Sequence, residues 1–118
     1  MIKTIAIYPH PVNEEYKEKV QRKIELASIY GFDEVFTTIH LPEISLEEQL
    51  EAFELISKLA KEVNLEITVD IGGTFFDDIL ENEEILNKLK NIDFDFIRLD
   101  YGSDINKTRK LYSLLSFR

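Results

Sequence analysis

Short apolar runs rich in β-branched residues alternate along this chain with longer stretches in which apolar residues recur every three or four positions. The runs are Thr4-Ile5-Ala6-Ile7-Tyr8, Val35-Phe36-Thr37-Thr38-Ile39, Ile67-Thr68-Val69-Asp70 and Phe96-Ile97-Arg98-Leu99-Asp100. Runs of this length and composition predict strands, and the stripes between them predict amphipathic helices. The strands fall near residues 3–8, 34–39, 66–70 and 95–100. They begin about thirty residues apart, the length of one strand-helix unit.

The helical stretches carry their own start and stop signals. The first covers about residues 13–30, with Tyr16, Val20, Ile24 and Ala27 on one stripe. Asn13 is its expected N-cap and Gly31 its left-handed stop. In the second, Ser45 followed by Glu48 makes a capping box. Leu46, Leu50, Phe53, Ile56, Leu59 and Ala60 form its stripe, and Asn64 its left-handed stop. The third, from Thr74 to Lys90, is expected to break near Glu81-Asn82 and to end at Asn91.

This alternation predicts the α/β class, with a parallel sheet and right-handed crossovers. An open doubly wound sheet satisfies the same pattern. The first strand, however, leads into Pro9-His10-Pro11 rather than a Gly-x-Gly-x-x-Gly turn, which argues against dinucleotide binding. The favoured reading is the first half of a TIM-type (β/α)8 barrel over residues 1–118, with a fifth strand starting near residue 114. An unclosed sheet of this kind has free edges and uncovered interior residues, expected here to be Ile7, Phe36, Val69 and Leu99. A homo-oligomer through those edges is therefore expected.

Composition narrows the partners. The hydrophobic fraction of 44% is that of a globular domain. The net charge of -9 opposes a phosphate backbone, so nucleic acid is not an expected partner. Acids such as Glu14, Glu15, Glu18, Glu47, Glu48 and Glu51 lie on predicted helix faces, where they keep the surface solvated. The absence of cysteine removes disulfides, thiolate catalysis and cysteine metal sites. No leader pattern precedes the first strand, and no apolar run approaches the ~20 residues of a membrane span. A cytoplasmic location without a membrane partner is the expectation.

Parallel strands collect their chemistry at their carboxyl ends. Pro9 and Pro11 stiffen the first of these ends and present Tyr8 and His10. Thr37, Thr38 and His40 leave the second, ahead of the proline-braced Leu41-Pro42-Glu43. One of the two threonines is expected to be structural, whereas His40 could donate to a sugar hydroxyl or a phosphate. Asp70 ends the third strand before Gly72-Gly73-Thr74, where free amides at a helix start resemble a small anion site. The bland reading of Asp70 is a cap on the following helix. Arg98 and Asp100 share the face opposite Leu99. Arg98 suits a carboxylate or phosphate, and the bland reading is a structural Arg-Asp pair. His10, His40, Asp70 and Asp100 follow no ligand spacing, so neither a metal nor a cofactor is expected.

Taken in order, Ile5-Ala6-Ile7-Tyr8-Pro9, Tyr30-Gly31-Phe32 with Val35 to Glu43, Ile67 to Ile71, and Ile97 to Gly102 resemble the successive units of the bacterial 6-phospho-N-acetylmuramidases. The resemblance spans the chain. It implies an N-terminal eight-stranded barrel followed by a small β-rich domain. It also implies cytoplasmic hydrolysis of a phosphorylated cell-wall disaccharide, giving N-acetylmuramic acid 6-phosphate and N-acetylglucosamine, a step of peptidoglycan recycling. Where the family often has Ser-Pro, this chain has Gly72-Gly73. Family members are also longer, so this chain is expected to be inactive alone. On this reading a phosphorylated amino sugar is the partner and Asp70 and Asp100 are the catalytic carboxylates. Tyr8, Thr38, His40 and Arg98 are the substrate-binding residues. Two alternatives stand beside it. One is another phosphosugar-binding barrel enzyme of isomerase or aldolase type, although no lysine stands at these four strand ends as an aldolase needs. The other is a non-catalytic, self-associating half-barrel.

Overall fold

The computed structural model describes residues 2–39 and 41–98. Four strands alternate there with four helices: β1 (Thr4–Ala6), α1 (Glu14–Ile29), β2 (Glu34–Ile39), α2 (Leu46–Glu62), β3 (Glu66–Ile71), α3 (Gly73–Glu81), α4 (Glu83–Lys90) and β4 (Phe96–Arg98). The strands form one sheet in the order β1-β2-β3-β4, and each neighbouring pair is parallel. A doubly wound sheet would reverse its order at a switch point. Sequential order with helices covering one face is instead the arrangement of the first half of a (β/α)8 barrel.

Local signals set most boundaries. Asn13 Oδ1 accepts from the Tyr16 amide at 2.8 Å and opens α1. At α2, Ser45 Oγ accepts from the Glu48 amide at 3.1 Å and donates to the Glu48 carboxylate at 2.9 Å. Gly31 (φ 75°) and Asn64 (φ 61°) take the left-handed conformation, which glycine and asparagine adopt most readily. Asn82 ends α3, and its side chain accepts from the Glu84 and Ile85 amides to start α4, which accounts for the break between them. Asn91 follows α4 with right-handed dihedrals (φ -86°, ψ -4°), so this helix ends without a left-handed stop.

β1 is shorter than residues 3–8. The Ile7 amide still donates to the Phe36 carbonyl at 2.9 Å. Amides facing the same neighbour alternate along a strand, so the next donor position is residue 9, a proline with no N–H. The ladder stops there. β3 runs to Ile71, which pairs with Ile39. His40, Leu99, Asp100 and the fifth strand expected near residue 114 lie outside the described residues.

Strand alternation divides the sheet into two faces. Val35, Thr37 and Ile39 of β2, with Ile67, Val69 and Ile71 of β3, are wholly buried. The apolar members of this set join Ile7, Val20, Ile24, Phe53, Ile56, Ile79, Leu89 and Ile97 in one core between sheet and helices. The other face carries Glu34, Phe36, Thr38, Glu66, Thr68, Asp70, Phe96 and Arg98, with none of the described helices over it. Ile7 and Val69 therefore lie under the helices and not on the open face. The sequence pattern leaves the choice of face undetermined, and the register decides it. Phe36 does stand on the open face.

Asp95 locks the amino end of the sheet. Its carboxylate accepts from Lys61 Nζ at 2.8 and 2.7 Å and from the Ile67 amide at 2.8 Å. Its own amide donates to the Ile67 carbonyl at 3.0 Å. Asp95→Ala strands a part-buried amide and an ammonium together, at an expected cost of about 1–3 kcal/mol. Denaturant unfolding would measure it, and Asp95→Asn, which keeps an acceptor for Ile67, should recover part of the loss. An unchanged midpoint in the alanine variant would contradict this role.

Candidate functional site

The register gathers the strand ends into one row. Thr38 pairs with Asp70, and Asp70 with Arg98. All three stand on the open face near the carboxyl end of the sheet. Neighbouring strands lie about 4.8 Å apart, so side chains in such a row are within mutual reach. Ala6 pairs with Phe36, and Tyr8 and Thr38 each follow two residues later. Tyr8 therefore follows β1 at the same end of the sheet, beyond the paired residues.

One layer below lie Ala6, Phe36, Thr68 and Phe96, a less polar floor. The Arg98 guanidinium carbon is 5.6 Å from the centre of the Phe36 ring, a cation–π contact that steadies its charge over that floor. Further down, Thr4 Oγ1 donates to Glu34 Oε1 at 2.7 Å. Polarity rises again at the top layer, where a ligand entering from the carboxyl end would meet it.

Within the row, Asp70 is 9% exposed and Arg98 is exposed. The register sets the two side by side, while the Arg98 guanidinium itself lies over the Phe36 ring. The Thr38 hydroxyl donates to the Asp70 carbonyl at 3.1 Å. Its proton thus holds the end of β3, and its lone pairs remain as acceptors. Thr37 points to the helix side, so of the two threonines only Thr38 belongs to the open face. No side chain caps α3, whose N-cap is Gly72; the Phe75 amide bonds back to the Gly72 carbonyl at 3.0 Å.

The loop after β1 is pinned by aromatic residues. Tyr16 donates its hydroxyl to the Tyr8 carbonyl at 2.7 Å. The His10 ring stacks on Tyr16 with centroids 5.5 Å apart. His10 Nδ1 lies 2.9 Å from the Pro11 carbonyl, and since a carbonyl only accepts, that nitrogen carries the proton. Burial pushes the Tyr16 hydroxyl up from 10.0 to about 12. The folded state thus holds this proton more tightly than the unfolded chain does. The associated stability is complete below about pH 10 and is lost as pH rises toward about 12. A phenolate absorbance titration should show one late-titrating tyrosine that Tyr16→Phe removes; an unchanged titration curve in that variant would contradict the assignment.

The sequence reading passed over Gln49. It is 0% exposed, and its amide spans the loop after β2. Oε1 accepts from the Leu41 amide at 3.1 Å, while Nε2 donates to the Leu41 carbonyl at 3.0 Å and to the Ile44 carbonyl at 2.9 Å. The signal was available, because Leu46, Gln49, Leu50 and Phe53 share helical spacing and a glutamine there interrupts an apolar stripe. Among the described residues no group of three or more histidine, cysteine or acidic side chains could hold a metal ion. No helix among them is long and apolar enough to cross a membrane.

A singly wound parallel sheet with a polar row at its strand ends is the arrangement of half a (β/α) barrel. The family described as 6-phospho-N-acetylmuramidase, N-terminal, matches residues 4–114, and the chain belongs to that family. An uncharacterized B. cereus protein of known crystal structure is 28% identical, with a TM-score of 0.60 over 93% of this chain. This chain spans only 27% of that protein. A phospho-2-dehydro-3-deoxyheptonate aldolase from Thermotoga maritima is 14% identical, with a TM-score of 0.47, over 98% of this chain and 38% of its own. No curated protein matches the sequence.

Proposed function

We propose that this chain supplies the first half of the barrel of a glycoside hydrolase acting on a 6-phospho-N-acetylmuramyl disaccharide. The observation that carries the reading is the row Thr38–Asp70–Arg98 on the open face, in a chain whose family is named for this reaction. Glycosidic cleavage needs two carboxyl groups flanking the scissile bond, one to protonate the leaving oxygen and one to act as base or nucleophile. Asp70 and Asp100 are assigned to this pair, in either order. A third acid from outside the chain is compatible with the same scheme. Arg98 neutralises the lactyl carboxylate or the phosphate, for which its planar fork is suited. His40 and Thr38 hydrogen-bond the sugar, and Tyr8, 58% exposed, offers a flat apolar surface at the rim. On this reading the protein works in the cytoplasm on a phosphorylated amino sugar, without a cofactor, and the 118 residues alone do not turn it over.

The test is release of N-acetylglucosamine from the phosphorylated disaccharide by the complete protein. Arg98→Met should raise KM by about tenfold or more, since a charge-assisted contact of roughly 1.5–3 kcal/mol is lost. Absence of turnover by the complete protein would refute the reading, and a parental KM in the variant would remove Arg98 from it.

A further inference from the structure

We propose that Gln49 is a positioning residue for the candidate site: its buried amide fixes the β2–α2 loop and so sets where that loop meets the sugar. The inference rests on reading the strand ends as a sugar site, and it assigns a role to a residue that touches no substrate. The loop leaves the carboxyl end of β2 immediately after Thr38, Ile39 and His40, and it carries the exposed Glu43. Among its described backbone groups, the Ile44 amide bonds to the Leu41 carbonyl at 3.2 Å. The Gln49 amide supplies three further bonds, closing both main-chain groups of Leu41 and the carbonyl of Ile44.

The chemistry requires an amide here. One acceptor and two donors must project from a single planar head, and only glutamine or asparagine offers both. Asparagine is shorter by a methylene. Methionine fills a similar volume with no strong donor or acceptor. Glutamate could accept from the Leu41 amide, but its second oxygen would face two carbonyl oxygens. Because Gln49 is wholly buried, water cannot readily take its place, so the loop cannot shift without leaving its polar groups unpaired. A side chain that held only α2 in place would be apolar, like Leu50 and Phe53 beside it on the stripe.

The test uses the complete protein with Gln49→Met and Gln49→Glu. It reads the exchange protection of the Leu41 amide and the dissociation constant for N-acetylmuramic acid 6-phosphate. In Gln49→Met, Leu41 protection should fall by about tenfold or more while the Val69 and Ile56 amides keep theirs. Affinity should fall by on the order of tenfold, since a displaced loop misplaces the groups it carries. Gln49→Glu should show the same losses near pH 8 and recover in part near pH 5, where burial favours the protonated carboxyl and so returns one donor. Gln49→Met should show no such recovery. A purely structural role would shift the unfolding midpoint and leave affinity unchanged in the folded state. Full Leu41 protection in Gln49→Met would overturn the inference, as would parental affinity in a variant whose Leu41 is freed. Failure of the parent protein to bind the sugar phosphate would overturn the sugar reading and this inference with it, an outcome distinct from a variant that matches a binding parent.

Discussion

Asp70→Asn in the complete protein is expected to lower turnover of the phosphorylated disaccharide by roughly 10²–10⁴, the range for removal of an acid–base group. Asp100→Asn is expected to fall in the same range. Asparagine keeps the size of the side chain and much of its hydrogen bonding, so the fold should persist. Thr38 bonds to the Asp70 backbone carbonyl and is untouched by the change. If the loss lies in kcat with KM little altered, the carboxylate acts on the transition state; a loss confined to KM would make it a binding group. Near-parental rates in both variants would remove these two aspartates from the reaction. A full loss in one and none in the other would leave one of the two in the reaction and direct the search for its counterpart to the other acids of the complete protein.

Phe53→Ala is expected to cost about 3–5 kcal/mol, since Phe53 is the largest fully buried side chain among the described residues. Phe53 is 1% exposed and lies 5.2 Å, centre to centre, from Phe94, which precedes β4. It therefore joins α2 to the approach of the last described strand. Since domains are stable by only about 5–15 kcal/mol, the variant should be partly unfolded at modest temperature. Phe53→Leu keeps most of the volume and should cost markedly less. Denaturant midpoints for the three proteins would measure this. A loss below about 1 kcal/mol in the alanine variant would mean that the site collapses freely around the gap.

The parts of this molecule that were legible in the sequence are local. Asn13, Ser45 with Glu48, Gly31, Asn64 and Asn82 act within a few residues of themselves, and each sits where the pattern put it. Parallel pairing also followed, but a doubly wound sheet fitted the same pattern, and the observed order β1-β2-β3-β4 decides between them. The parts that were not legible depend on pairing across thirty residues. Thr38 faces Asp70 and not Val69 only because β2 and β3 adopt one register, and a shift of β3 by one residue would have set Val69 beside Thr38 on the open face and turned Asp70 under the helices. For the same reason Ile7 and Val69 could be read as interior residues of a barrel. Asp95 carried no signal of its role at the start of the fourth predicted strand, although it ties Lys61 to the start of β3. Gln49 was visible as a polar break in an apolar stripe, but its purpose appears only when the loop from Leu41 to Ile44 folds over it.

The central claim is that the open face at the carboxyl end of this sheet receives a phosphorylated amino sugar. The most direct measurement is a titration of N-acetylmuramic acid 6-phosphate into the isotope-labelled complete protein, followed on backbone amide resonances. The account predicts saturable shifts at Tyr8, Thr38, Asp70 and Arg98, and none at Ser57, Lys58 or Asp95 on the helix side and amino end. Shifts centred on those latter residues, or a saturating titration that leaves the four strand ends unmoved, would contradict it.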